Sequence, residues 1–231
     1  NIIYALIAAG YINDDNGFNY YHCRYMLKST DKGETWSEIS YPMNSGTSFA
    51  NLAWHALTGA VNPENPDNIY VGGLDVWNTL SGGDYWYHTS DWALMYYGGG
   101  PDYVHADQHL QIYRPENPDE MLFGTDGGVF YTDNSESTNP VYEERNNGYN
   151  TLQFYTCDIS PVPGDEKYVG GLQDNGTLLY QGWPLTINDM LSGGDGAYCF
   201  FDEDQPEILV TSVYYNRYYI WENGSWSNYF D

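Results

Sequence analysis

Four stretches of the chain repeat one pattern, a proline-rich or acidic turn followed by a short apolar strand. They are VNPENPDNIYVGG (61–73), YRPENPDEMLFGT (113–125), SPVPGDEKYVGG (160–171) and FDEDQPEILVTS (201–212). Aligned on Tyr70, Leu122, Tyr168 and Leu209, the strands recur at spacings of 52, 46 and 41 residues. The opening run NIIYALIAA fits the same strand without its turn. A unit of this length cannot bury an apolar face alone, so it must stack on its neighbours.

The strands are short, alternating, rich in Tyr, Val and Ile, and punctuated by Gly, Asn and Asp, and no long stretch keeps a helical period. Repeats of about 40–50 residues with four such strands point to a propeller, because solenoids show helices or shorter periods. The expected fold is all-β, a β-propeller of four-stranded blades, strands a to d. In the third unit HLQIY, MLFGT and VFYTD are a, b and c. Residues 1–231 read as one propeller segment with units 1–50, 51–103, 104–150, 151–196 and 197–231, about five blades with the first incomplete. The start at Asn1, inside an apolar run and without Met, fits a segment of a longer protein.

Charge narrows the partners. The chain has 32 Asp and Glu against 7 Lys and Arg, a net charge of −25. That leaves no basic surface for nucleic acid and no cluster for an anionic membrane face. No apolar window reaches the length that inserts into a bilayer. Hydrophobic residues at 42% and aromatics at 18% supply a core, which separates the chain from disordered acidic sequences. Acidity on this scale suits a secreted or salty setting, so the expected location is extracellular or at the cell surface. Cys23, Cys157 and Cys199 show no CxxC spacing, against a disulfide framework or cysteine zinc site, with a single bridge left open.

The best-defined motif is STDKGETW, with Ser29, Asp31, Gly33, Thr35 and Trp36 at the Asp-box positions S-x-D-x-G-x-T-W. It reads as the hairpin between strands c and d. Asp31 accepts turn N–H groups, Gly33 supplies positive φ, and Trp36 folds back into the blade. A degenerate copy, SGGDYW, spans Ser81 to Trp86. The box resembles the BNR repeats of sialidase-like and sortilin-type propellers. The succession HADQH, PENPD, GTDGGVFYT, NNGYNTLQFY, GGLQDNGT and GGDG, closest over residues 104–196, is similar to sortilin-type and BNR-like propellers of secreted bacterial proteins. The resemblance implies a seven-bladed propeller, a module of a larger cell-surface or secreted chain, in some cases a glycosyl hydrolase.

In an up-and-down blade the b–c turns and the entries into strand a share one face, and the Asp box lies on the other. GTDGG and LQDNG are b–c turns, whereas HADQH and SGGDG enter a strand a. The excursion carrying Asp14 and Asp15 joins them as a b–c turn. Asp126, Asp174 and Asp195 are therefore either turn caps or, joined by Asp107, Gln173 and Asn175, oxygen ligands for calcium, the expected cofactor, since calcium accepts irregular carboxylate sets. His105, His109, Gln173 and Asn175 are the candidate ligand-binding residues. If His105 and His109 lie on one strand, even spacing puts them on one side, where they either line the channel with hydrogen bonds to backbone or, with Asp107, form a transition-metal site.

A sialidase needs an arginine cluster, and Arg24, Arg114, Arg145 and Arg217 are too few and scattered. A glycoside hydrolase needs only two carboxylates, about 6.5–9.5 Å apart in an inverting enzyme. Asp126 and Asp195 are the candidate pair, and 25 Tyr and 8 Trp offer stacking surfaces for sugars. No Ser-His-Asp pattern, P-loop or dinucleotide fingerprint occurs. The expected function is a non-catalytic extracellular module for binding or scaffolding, calcium-stabilised and able to assemble into tandem or filamentous arrays. Its expected partners are other domains of the same chain, neighbouring subunits, or glycans. Polysaccharide hydrolysis at the acidic mouth is the alternative.

Overall fold

The computed structural model describes residues 2–12, 19–149, 152–182, 189–214 and 217–230. The strands are β1 (Ile3–Ile12), β2 (Asn19–Ser29), β3 (Ser37–Ile39), β4 (Met43–Asn44), β5 (Thr47–Ser48), β6 (Thr58–Val61), β7 (Ile69–Gly72), β8 (Val76–Thr79), β9 (Tyr87–His88), β10 (Gln108–Arg114) and β11 (Asn117–Thr125). They continue as β12 (Gly128–Thr132), β13 (Glu143–Glu144), β14 (Phe154–Ile159), β15 (Lys167–Leu172), β16 (Gly176–Gln181), β17 (Asp189–Ser192), β18 (Cys199–Phe201), β19 (Ile208–Val213), β20 (Arg217–Glu222) and β21 (Ser225–Phe230). Apart from the β4–β5 hairpin they form five antiparallel meanders: β1-β2-β3, β6-β7-β8-β9, β10-β11-β12-β13, β14-β15-β16-β17 and β18-β19-β20-β21. Among the described residues the first has three strands and the others four. The chain forms two compact units, residues 1–148 and 149–231. No helix among the described residues is long and apolar enough to cross a membrane.

Period-two alternation decides which side chains meet. On β7, Ile69 and Val71 face the first sheet and join Cys23, Met26, Phe49, Ala50 and Trp77 in one buried cluster. Tyr70 points the other way, to a cluster with Val76, Phe123 and Phe130 shared with the third sheet. Every residue of β7 and β8 is buried, because the second sheet is covered on both faces. In residues 149–231 a smaller cluster, Val169, Leu191, Cys199, Phe201 and Leu209, joins the fourth and fifth sheets. Each such aliphatic or aromatic side chain contributes about 1.5–3 kcal/mol by leaving water.

The repeated turn has a repeated hydrogen-bond scheme. The Asn62 carboxamide oxygen accepts the N–H groups of Glu64 and Asn65 at 2.8 and 3.0 Å. The Asp202 carboxylate does the same for Asp204 and Gln205 at 2.9 and 2.8 Å. In both turns the backbone then closes identically, Asn62 N–H to Asn68 and Asp202 N–H to Ile208. Between β10 and β11 this device is replaced by the Arg114–Glu120 ion pair, with Asn117 also donating to Glu120.

The Asp box is a closed circuit. The Asp31 carboxylate accepts the Thr35 N–H at 2.9 Å, the Thr35 hydroxyl at 2.5 Å and the Ser29 hydroxyl at 2.8 Å. Ser29 in turn accepts the Gly33 N–H at 2.8 Å. Trp36 departs from expectation. It is 42% exposed and donates its indole N–H to the Gly33 carbonyl, so it lids the turn instead of entering the core. The degenerate copy begins two residues earlier than the sequence suggests. Thr79 takes the serine role, accepting the Gly83 N–H, and Ser81 stands where Asp31 stands, accepting the Tyr85 N–H. A third version lies between β12 and β13, with Thr132 donating to Asn134 and Asn134 accepting the Val141 N–H.

All three cysteines are free thiols, which closes the question of a bridge. Burial pushes the Cys23 thiol up to about 11.

Two outcomes are expected. Phe123 is fully buried, and Phe123→Ala should lower stability by about 3–5 kcal/mol in denaturant unfolding. The hydrogen bonds to Asp31, those of Thr35 foremost, hold its carboxyl at about 2, against 3.8 unperturbed. Its charged form therefore stabilises the fold above 3.8, and that contribution fades as the pH falls through about 2. Asp31→Asn should be less stable than the parent at neutral pH, with the gap closing in acid unfolding curves over that window.

Candidate functional site

In the antiparallel third sheet the b–c turn lies at one end, and the a–b and c–d turns at the other. The β11–β12 turn (Thr125–Gly128) and the segment entering β10 therefore share an end of the third sheet, opposite its Asp-box-like loop. In that turn Thr125 does the capping. Its hydroxyl accepts the Gly127 N–H at 3.2 Å and donates to the Gly128 carbonyl at 3.1 Å. Asn146 braces the same turn from outside, accepting the Val129 N–H at 2.8 Å and donating to the Gly127 carbonyl at 3.1 Å. The Asp126 carboxylate meets side chains from other segments.

Two imidazoles use it. His55 Nε2 lies 3.1 Å from Asp126 Oδ2, and His109 Nε2 lies 2.5 Å from Asp126 Oδ1. The two rings meet edge to face at 4.8 Å between centroids. His109 is the second residue of β10. His55 arrives from a short turn after β5, where His55 and Ala56 both donate backbone N–H groups to the Leu52 carbonyl. That turn is anchored to the first sheet through the Ala53 N–H and the Tyr21 carbonyl. Trp54, 67% exposed, stands beside the His55 ring.

Asp107 lies under this group. Its backbone is left-handed, φ 62°, and its N–H donates to the Leu74 carbonyl. The side chain is buried, with Oδ1 lacking a hydrogen-bond partner, and a carboxylate oxygen lies within 4.8 Å of one on Asp126. Desolvation, then the Asp126 charge, raise the Asp107 carboxyl above its ordinary range, against the pull of His55, His109 and His105.

The left-handed residue also breaks the even-spacing argument for His105 and His109. His105 precedes β10, is buried, and places Nδ1 3.1 Å from the Ala106 carbonyl. Its ring packs on Gly127, where a Cβ would stand 2.1 Å from Cδ2. The imidazole that joins His109 on a carboxylate is His55.

The remaining candidates lie in residues 149–231. The Asp195 carboxylate accepts the Asp174 N–H at 2.9 Å, so Asp195 caps the β15–β16 turn. Asp174 is left-handed at φ 56°. The Asn175 carboxamide donates to the Gln173 carbonyl, and the Gln173 N–H to the Gln153 carbonyl. Asp14 and Asp15 lie outside the described residues. A cavity of about 620 Å³ between the fourth and fifth sheets is lined by Lys167, Asp189, Glu207 and Trp221, among others.

Sequence reasoning missed two residues. His55, in LAWHALTG, has no partner at any motif spacing. Asp75 is buried and holds His88 Nε2 at 3.0 Å and the Trp92 N–H at 2.9 Å, while His88 stacks on Trp77. The pairing reads as a structural clamp at the end of the second sheet.

No protein-family model matches the chain, and no curated protein matches it. Among solved structures, a GH74 enzyme from Niastella koreensis is similar over 96% of this chain and 36% of its own, with TM-score 0.52 and 14% identity. The chain thus spans about a third of that enzyme. A GH74 xyloglucanase from Xanthomonas campestris matches over 97% of this chain and 36% of its own, with TM-score 0.41 and 14% identity. YCF48 bound to D1 peptide matches over 99% and 72%, with TM-score 0.37 and 12% identity. At such identity the first likeness establishes the fold alone: the chain is a β-propeller.

Gly127→Ala should drive a methyl group into the His105 ring. The expected result is a loss of about 1–3 kcal/mol in denaturant unfolding, with displaced His105 and His109 ring resonances in NMR spectra.

Proposed function

We propose that this chain is a non-catalytic propeller module of the BNR or sortilin type, part of an extracellular or cell-surface protein, that binds or scaffolds. The observation that carries the reading is the engagement of Asp126 by two imidazoles. A general acid or base must reach the proton it transfers, directly or through one water. Here each oxygen of Asp126 already meets a ring nitrogen, and Asp195 is engaged by the Asp174 amide.

Partners in this reading are other domains of the same chain, neighbouring subunits or glycans. Among the described residues β1 pairs with β2 alone, and such an edge can accept a strand from a neighbouring module. The cavity carrying Trp221, Asp189 and Glu207 combines an aromatic surface with hydrogen-bonding groups, the chemistry that holds a saccharide. Calcium stays within the proposal as a stabiliser of the acidic turns, whereas the imidazoles give Asp126 a different donor set.

The alternative, glycoside hydrolysis, draws on the likeness to a GH74 enzyme and requires Asp126 or Asp195 as acid or base. A polysaccharide panel separates the two. The expected result is no release of reducing ends above a blank, unchanged in Asp126→Asn and Asp195→Asn. Hydrolysis that disappears in either folded variant would establish the enzyme instead.

A further inference from the structure

We infer that His55, His109 and Asp126 form a binding site for a divalent transition-metal ion, with zinc as the fitting case. The inference is independent of whether the module is catalytic. It starts from donor type. Two imidazole nitrogens and one carboxylate oxygen are a set that zinc and its neighbours take, whereas calcium and magnesium take oxygen.

Geometry comes next. One donor atom from each residue lies within 4.8 Å of the other two, and the two His–Asp separations are 3.1 and 2.5 Å. Bonds of about 2.0–2.1 Å at a tetrahedral ion set neighbouring ligand atoms about 3.3 Å apart. Small side-chain adjustments thus bring the three donors to one ion, leaving a fourth position for water. Both histidines present Nε2, so a single ion can replace the two hydrogen bonds that now converge on the carboxylate.

A second observation points to a missing cation. Asp107 is only 7% exposed, its Oδ1 has no hydrogen-bond partner, and its carboxylate lies within 4.8 Å of that of Asp126. A buried carboxylate held next to another carries repulsion and desolvation together. A dication at the imidazole cluster offsets both charges at once.

The placement also gives the ion a structural role. His55 belongs to the connection between the first and second sheets, whereas His109 and Asp126 belong to the third. One ion would tie that connection to the third sheet at the end carrying the b–c turns. An ion that binds only the folded chain raises its unfolding temperature by mass action.

The test is calorimetric titration of the metal-stripped 231-residue chain with zinc chloride, repeated for His55→Gln, His109→Gln and Asp126→Asn. The expected result is one zinc per chain and affinity at least about tenfold weaker in each variant, with near-UV circular dichroism unchanged. Should a variant fail to fold, cobalt(II) added to the parent reports the ligands directly, through paramagnetic shifts of the His55 and His109 ring protons. Absence of zinc uptake, zinc affinity unchanged in the folded histidine variants, or unshifted His55 and His109 rings with cobalt would each overturn the inference. Stoichiometric displacement of zinc by equimolar calcium would overturn it too, by showing a site made of oxygen donors.

Discussion

Everything in residues 1–148 depends on a strand that has no solvent face. β7 sends Ile69 and Val71 into one core and Tyr70 into the other, so a single short strand cements three sheets. Two-sided burial explains why IYVG lacks a polar alternation and why its flanking turns carry the polar chemistry instead. It also fixes register, since a slip of one residue would turn Tyr70 into the core that Ile69 and Val71 fill and send β-branched side chains into the core of Tyr70. The sheet ends are consequently held in place from the middle, and side chains from distant segments can meet there reproducibly.

The turns show how one geometry survives a change of chemistry. The Asp box in its full form uses a carboxylate as the hub, the β8–β9 hairpin uses a serine hydroxyl, and the β12–β13 loop uses an asparagine amide. Each hub accepts a backbone N–H that the hairpin would otherwise leave unpaired. The role is that of an acceptor, which is why the charge is dispensable and the sequence signature fades faster than the fold.

The legible part of the sequence was the local part. Proline and aspartate turns, strand alternation and the Asp box are all short-range signals, and they make an all-β fold of four-stranded antiparallel sheets legible. What stayed hidden depends on long-range contact or on one backbone angle. His55 reaches Asp126 across 71 residues, a relation that no spacing rule encodes. The positive φ at Asp107 reversed the parity on which the pairing of His105 with His109 rested. The two imidazoles on Asp126 are equally illegible, because Thr125 offers no motif by which its hydroxyl could be seen to close that turn.

The tyrosines of the core between the second and third sheets carry an optical consequence. Tyr70 donates its hydroxyl to the Ser135 carbonyl and accepts from Asn78, and burial raises its phenol, with those of Tyr113 and Tyr142, well above the ordinary value. A phenol of this kind ionises readily only after water reaches it, so the folded state holds a proton that the unfolded chain releases in alkali. Strong alkali therefore works against the packed core. Phenolate absorbance from these three rings would register the moment at which the two sheets part.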